Sequence, residues 1–401
     1  MGKRIIKVAN IIEDGRLAGP QMRIIEIARY LANKEFANKG KVFNSVNVTT
    51  DRIKINTTVF FPIFENIEFK NLLMKNKINF IELPIHRLSK RVANFLSFFF
   101  FFFIEICILW FYLKKGNYDI VHISGGAWQF KGIIAGKLAK CKIIWHLNDT
   151  KAPRIIYILF RLLANITTDG FIVSGYRVYK YYLERYLKLK SKKIFLIRPP
   201  VNCFYFNSKH LKDHKPNYGL NILTVGNVNP NKGFEYFLTM AHILNSKYNN
   251  LNFFIVGPIY KSQFAYYKKL KQLQIKYNLS NLVFYGVCKD IRKVLTLTDI
   301  FVCSSINESG PMSVWEAMAM EKAIVTTDVG DIPWLLKNNH NGYIVPKKNP
   351  LELAKHVSIL IDDNSKRIEF GKKARQIAIE KLDVSKIAEN HLKSYLSIAE
   401  K

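Results

Sequence analysis

A chain of 401 residues is long for a single hydrophobic core, so two domains is the natural organisation. Charged residues make up 23% and hydrophobic residues 49%, as in ordinary globular proteins, but 61 Lys+Arg stand against 30 Asp+Glu, a net charge of +31. Such a surface is drawn to anionic membranes, nucleic acid or anionic substrates. No compact Lys/Arg block with interleaved aromatics occurs, which ranks nucleic acid below membrane, and part of the Lys, Asn, Ile and Phe excess can reflect genome composition.

The five cysteines are scattered and form no CxxC, which argues for buried thiols in a reducing compartment rather than a disulfide framework. The opening MGKRIIKVANII is broken by Lys7 and Asn10 and does not read as a signal peptide, and Ile6 breaks the myristoylation pattern. The expectation is a cytoplasmic protein, peripheral at most on the inner face of the membrane.

Ile5 to Ile12 predicts a strand, Glu13 to Gly19 a loop, and Pro20 to Leu31 a helix with Ile24, Ile27, Ala28 and Leu31 inside. Gly15 and Gly19 allow close backbone approach, so strand, glycine loop and helix make a phosphate-cradle candidate, weak by itself. Residues 33–80 are poorly patterned, with short strands expected near Val42 to Val48 and Asn79 to Leu83.

Phe95 to Leu113, FLSFFFFFFIEICILWFYL, is interrupted only by Ser97 and Glu105 and flanked by Arg87, Lys90, Arg91, Lys114 and Lys115. As one helix it would reach roughly 28 Å, enough to cross a bilayer core. Two arguments oppose crossing. The strands before and after it should share one parallel sheet, and Glu105 at mid-depth would add about 2.5–3.5 kcal/mol. It is therefore either packed on the sheet or lies in the membrane interface with basic flanks at 87–115.

Asp119 to Ile123 and Lys142 to Leu147 predict buried strands around a helix from Phe130 to Leu138. His122 and His146 sit near their C-terminal ends, where open parallel sheets bind ligands. Pro153 to Ala164 predicts a helix, Gly170 to Ser174 a strand, Tyr176 to Leu187 a helix and Lys193 to Ile197 a strand. Arg198-Pro199-Pro200 breaks regular structure, and a linker follows over 201–217.

The alternation then restarts. Asn221 to Val225 predicts a strand that leads into Gly226-Asn227-Val228-Asn229-Pro230-Asn231-Lys232-Gly233 and a helix from Phe234 to Leu244. Two more strands, Leu251 to Val256 and Leu282 to Tyr285, end in Gly257 and in Gly286-Val287-Cys288. Ile300 to Cys303 reads as a strand buried on both faces, followed by a polar turn from Ser304 to Gly310. Pro311 stands where a first helical residue would, with Ser309 and Gly310 as candidate caps. Met312, Trp315, Met318 and Ala319 mark the apolar face of the helix, and Ala323 to Thr327 is the next strand. Glu308 in the turn and Glu316 in the helix flank a helix N-terminus, a place that binds phosphate through backbone N–H groups and the helix dipole. Lys366 to Leu382 and Val384 to Ala399 predict terminal helices.

The segment Glu308-Ser309-Gly310-Pro311-Met312 followed by Glu316-Ala317-Met318-Ala319 resembles the donor-site signature of retaining GT-B glycosyltransferases, family 4. The resemblance implies two doubly wound, Rossmann-like α/β domains facing across a cleft. An acceptor-binding domain would span 1–200 and a nucleotide-sugar domain 218–383, with 384–401 packing back on the first. It implies that Glu308 orients the transferred sugar and Glu316 contacts the ribose. Lys232 would neutralise the diphosphate, which gains charge as the bond breaks, and His146 would meet the reacting region. Gly19, Asn227, Val287, Ser309, Gly310, Pro311 and Met312 would line the donor, with Arg23, His122 and Arg198 as acceptor or anion contacts. Asn227 replaces the family's arginine, Ala18-Gly19 keeps one of two glycines, and Glu321 stands where the family has Gly.

No metal-ligand spacing is present, so no metal or other cofactor is expected, and the partners implied are a nucleotide-sugar and a glycan or lipid-linked acceptor. The function implied is sugar transfer with retention in cell-surface polysaccharide synthesis. A sugar-nucleotide epimerase of the same fold and a non-catalytic polyanion- or membrane-binding protein remain alternatives.

Overall fold

The computed structural model describes residues 4–32, 53–88, 92–150, 152–184, 191–211 and 219–400. The chain divides into two units, Met1–Pro200 with Val384–Lys401, and Val201–Asp383. Along the sequence the first unit runs β1 (Arg4–Ile11), α1 (Gly19–Ala32), β2 (Ile53–Pro62), α2 (Ile67–Lys75), β3 (Asn79–Leu83), α3 (Val92–Phe100) and α4 (Phe102–Gly116). It continues with β4 (Ile120–Ser124), α5 (Phe130–Leu138), β5 (Lys142–Leu147), α6 (Arg154–Thr167), β6 (Gly170–Val173), α7 (Tyr176–Tyr182) and β7 (Lys193–Leu196).

The sheet order is β3-β2-β1-β4-β5-β6-β7, with every pairing parallel. Strand order reverses between β1 and β4, the switch point at which such sheets bind ligands. Buried residues alternate between faces, as strand geometry requires. Ile6, Val8, Ile120, Ile144 and Ile172 share one core with the C-terminal helix, while Ala9, Ile11, Val121, Ile123 and Trp145 face the core under α4, α5 and α6.

β1 pairs directly with β4 (Val8↔Ile120), so the strands before and after the aromatic segment share one parallel sheet, as the topology argument required. No described helix is long and apolar enough to cross a membrane. The segment is also not the single helix expected. It breaks at Phe101 (φ −92, ψ 3), whose ring stacks on His86, and α4 starts afresh there. Glu105 faces inward, so it is no membrane-depth charge. Its carboxylate meets the Lys131 ammonium at 2.5 Å and the His86 backbone N–H at 3.1 Å.

The second unit runs β8 (Leu220–Val225), α8 (Phe234–Asn245), β9 (Leu251–Val256), α9 (Phe264–Lys276), β10 (Leu282–Gly286), α10 (Ile291–Leu297) and β11 (Ile300–Cys303). It ends with α11 (Met312–Ala319), β12 (Ala323–Thr327), β13 (Tyr343–Val345), α12 (Pro350–Asp362) and α13 (Asn364–Lys381). Its sheet order is β10-β9-β8-β11-β12-β13, again parallel throughout. α14 (Val384–Ala399) belongs to the first unit, where Ile387, Leu392, Tyr395 and Ile398 pack on the sheet.

The sequence missed β2, whose first half, Ile53 to Thr58, lacks a clean apolar run. The strand expected near Val42 to Val48 lies outside the described residues, as do the end of the expected Tyr176 to Leu187 helix and residues 212–217 of the linker.

Candidate active site

In the second unit, β8 and β11 are adjacent strands, and the loops leaving their C-terminal ends meet. Lys232 Nζ donates to Glu308 Oε1 at 2.6 Å, joining residues 76 positions apart. Ser305 Oγ donates to the same carboxylate oxygen at 3.0 Å, and Ser304 Oγ donates to the Lys232 carbonyl at 3.0 Å. Ile306 N–H donates to the Asn231 carbonyl at 2.8 Å, so backbone also ties the two loops together.

Glycine is required for this closeness. Gly233 has φ +59, and a Cβ there would lie 2.4 Å from the Ser304 carbonyl oxygen; one at Gly226 would lie 2.7 Å from Lys232 Cε. Both Lys232 and Glu308 side chains keep some contact with solvent, at 19% and 16% exposure.

Burial works against charge on Lys232, but the charge and hydrogen bond of Glu308 outweigh it and hold the ammonium above its usual pKa. Glu316, on α11, is raised to about 7 because desolvation disfavours its carboxylate more than Lys232 favours it. The pair is thus an ammonium and carboxylate held together, with a second, reluctant carboxyl nearby.

Pro311 is the residue preceding α11 rather than its first member, because its ψ of 85° is not helical. Val314 N–H donates to the Pro311 carbonyl, so the N–H groups of Met312 and Ser313 precede the first bonded donors and carry the positive end of the helix. Ser309 and Gly310 form the turn before it, beside Gly330, where a Cβ would lie 2.8 Å from the Ser309 carbonyl oxygen. Asn227 supplies no charge and instead braces the loop. Its Oδ1 accepts from Asn229 Nδ2 at 2.9 Å, while Asn229 Oδ1 accepts from Asn231 N–H at 2.9 Å. Val287 is exposed after β10. Glu321 takes φ +58, which explains why glycine suits that place, and its carboxylate pairs with Arg375 at 3.4 Å.

In the first unit, Gly19 opens α1, and Arg23, one turn on, is buried. Arg23 Nη1 donates to His146 Nε2 at 3.0 Å, which places the His146 proton on Nδ1. That proton is then given to His122 Nε2 at 3.2 Å, and His122 Nδ1 donates to the Tyr395 hydroxyl at 2.7 Å. Burial and the Arg23 charge hold His122, His146 and His391 neutral, with His391 pulled down to about 3. Burial also lowers Arg23 to about 10. Its Nη2 has no partner among the described residues, and no carboxylate pairs with it there. An uncompensated buried guanidinium is suited to an anion. Arg198 follows β7 and is only partly buried.

Two features escaped the sequence reading. A cavity of about 600 Å³ opens at the strand ends of the first unit, lined by Glu13, Asp14, Arg16, Arg87, Trp128 and Gln129 on its polar side. Glu13 Oε1 accepts from the Lys131 and Gly132 N–H groups at the start of α5, while Oε2 has no partner among the described residues. Desolvation raises this carboxyl to about 7. A carboxyl in a loop next to a strand carries no such signal in sequence, because its burial is made by α5, more than a hundred residues away. Among the described residues, no group of three or more His, Cys, Asp or Glu could hold a metal ion.

Two parallel, doubly wound α/β units are the architecture of GT-B glycosyltransferases. The chain belongs to the family of glycosyl transferases group 1, whose profile matches residues 207–377. It is 30% identical over 310 residues, 71% of this chain and 78% of the relative, to N,N'-diacetylbacillosaminyl-diphospho-undecaprenol alpha-1,3-N-acetylgalactosaminyltransferase of Campylobacter jejuni. It is 24% identical over 250 residues, 58% of this chain and 64% of the relative, to UDP-Gal:alpha-D-GlcNAc-diphosphoundecaprenol alpha-1,3-galactosyltransferase of Escherichia coli. Solved structures with the same fold include a glycosyltransferase from Rickettsia africae (TM-score 0.79, 20% identity, 98% of each chain). Anabaena HepE in complex with UDP is another (TM-score 0.77, 17% identity, 98% of this chain and all of that one).

Proposed function

We propose that the enzyme transfers a sugar from a nucleoside-diphosphate sugar, with retention of anomeric configuration, to a hydroxyl of a lipid-linked or other glycan acceptor in cell-surface polysaccharide synthesis. The observation that carries this is the Lys232–Glu308 pair, 2.6 Å apart, set before the N-terminus of α11. A diphosphate placed there would find an ammonium and the positive end of a helix. Both stabilise the charge that grows on the leaving group, so neither a metal ion nor another cofactor is called for. Glu308, once the diphosphate draws Lys232 away, is free to accept hydrogen bonds from sugar hydroxyls. Glu316 would receive the ribose, and the Ser309–Met312 turn, Asn227 and Val287 would border the donor. Arg23, held by His146, gives the first unit its own anion contact, whereas His146 is fully buried with both ring nitrogens engaged and serves to hold Arg23.

The names of the Campylobacter and Escherichia relatives support a diphospho-undecaprenol type of acceptor, and the UDP in HepE supports a nucleotide-sugar donor. Such an acceptor fits an enzyme that works at the inner face of the membrane, and the exposed aromatic residues of the 87–115 segment, with its basic flank, support peripheral contact there.

The test is a panel of UDP-, GDP- and ADP-sugars incubated with and without membrane lipid extract and followed by mass spectrometry, with product anomers assigned by NMR. A glycosylated lipid of unchanged anomeric configuration is expected. An epimerised donor formed without acceptor, or an inverted product, would replace this reading.

A further inference from the structure

The aromatic segment is not the only apolar surface of the first unit. α6 (RIIYILFRLLANIT) buries one side through Ile156, Phe160 and Ala164, as an amphipathic helix should. Its other side is apolar as well. Ile155 is 67% exposed, Leu162 60% and Ile166 68%, with Ile158 also open to solvent. A globular helix normally turns charges outward. Here the exposed charges are Arg154 and Arg161, and no acidic residue occurs in the helix.

α5 packs against both α4 and α6, so these three lie side by side on one face of the sheet. α3 and α4 expose Phe99, Phe103 (77%) and Phe111, and their one acid, Glu105, is buried against Lys131. The 600 Å³ cavity lies between the two apolar helical surfaces, with Phe95 of α3 on one wall and Ile155 and Ile156 of α6 on the other.

We propose that α6 and the α3–α4 pair are two rails of one seat for an anionic bilayer, with the mouth of the cavity opening between them at the lipid surface. Apolar side chains ringed by Arg154, Arg161, Lys114 and Lys115, without an exposed acid on either rail, complement an interface rich in acyl chain and negative headgroup. A lipid-linked acceptor could then present its polar end to Glu13, Gln129 and Arg87 without its lipid leaving the membrane. This deepens the transferase reading by assigning α6 and the cavity mouth to the same membrane contact.

The test is flotation of the full chain with vesicles of phosphatidylcholine, with or without about one third phosphatidylglycerol. The wild type is expected to float with the anionic vesicles and much less with the neutral ones. The Ile158→Ser/Leu162→Ser variant, which leaves the buried side of α6 intact, should lower the bound fraction by roughly tenfold or more. Ile275→Ser, an exposed site in the second unit, should leave it unchanged. Stabilisation of each variant by UDP, GDP or ADP is measured alongside, because it reports folding and the donor site separately. Loss of flotation with nucleotide stabilisation kept supports the seat. Wild-type flotation by the α6 variant, or no flotation of the wild type, overturns it. Flotation as expected without any nucleotide effect in the wild type would leave the seat standing and refute the donor reading alone.

Discussion

Lys131→Met should destabilise the first unit by about 3–5 kcal/mol, the usual range for stranding one member of a buried ion pair. Lys131 is fully buried at 0% side-chain exposure and Glu105 at 1%, so no water replaces the lost partner. The Lys131 ammonium donates to Glu105 Oε2 at 2.5 Å and to the His86 carbonyl at 2.7 Å, and it lies 3.9 Å from the centre of the Phe98 ring. Methionine keeps the stem packing and the ring contact but leaves Glu105 with only His86 as a donor. For a unit of this size, that loss lowers Tm by roughly 10 °C. Replacing both partners, Lys131→Met with Glu105→Leu, should return stability to within about 1–2 kcal/mol of wild type, because no buried charge is then left alone. Urea and thermal unfolding followed by circular dichroism measure both variants. A single variant that loses less than about 1 kcal/mol, or a double variant as weak as the single, would refute the argument.

Further outcomes follow from the same geometry. Gly233→Ala should disrupt the Lys232 loop, since its Cβ would press on the Ser304 carbonyl and its φ is positive, and a loss of nucleotide-induced thermal stabilisation would show it. Glu13, ordinarily near 4.5 and raised to about 7 in the fold, binds its proton more tightly folded than unfolded. Its contribution is therefore present below about pH 4.5 and lost as pH rises through 7, by about 3 kcal/mol; Glu13→Gln should flatten that part of a stability–pH curve, and an unchanged slope would count against it. His391, lowered to about 3 by burial, works in the opposite sense. Its stability is present above pH 6.5 and is lost as pH falls toward 3, so His391→Asn should make the wild-type loss of stability in acid less steep.

Much of the second unit was legible because its signals are local. The run Gly226 to Gly233 places a turn, a lysine and a helix start within eight residues, and Glu308 to Ala319 does the same on the next loop. That two separate loops meet through a 2.6 Å ion pair is a consequence of β8 lying beside β11, which alternating strands and helices imply but do not register. The first unit was less legible where contacts are long-range. Glu105 reads as a charge misplaced in an apolar run until Lys131 is brought against it. β2 was missed because its polar first half is stabilised by pairing with β1 rather than by its own pattern. His122 and His146 were placed at strand ends from sequence, but their neutral relay from Arg23 to Tyr395 needs the final helix, supplied from beyond the second unit.

The central claim is that Lys232 and Glu308 act together on a departing nucleoside diphosphate. The most direct measurement is kcat/KM for sugar transfer by Lys232→Ala and Glu308→Ala, each shown by circular dichroism to be folded. The account predicts losses of about a hundredfold or more in each, with the double variant no worse than the more damaged single. Transfer at the wild-type rate by either folded variant would contradict it.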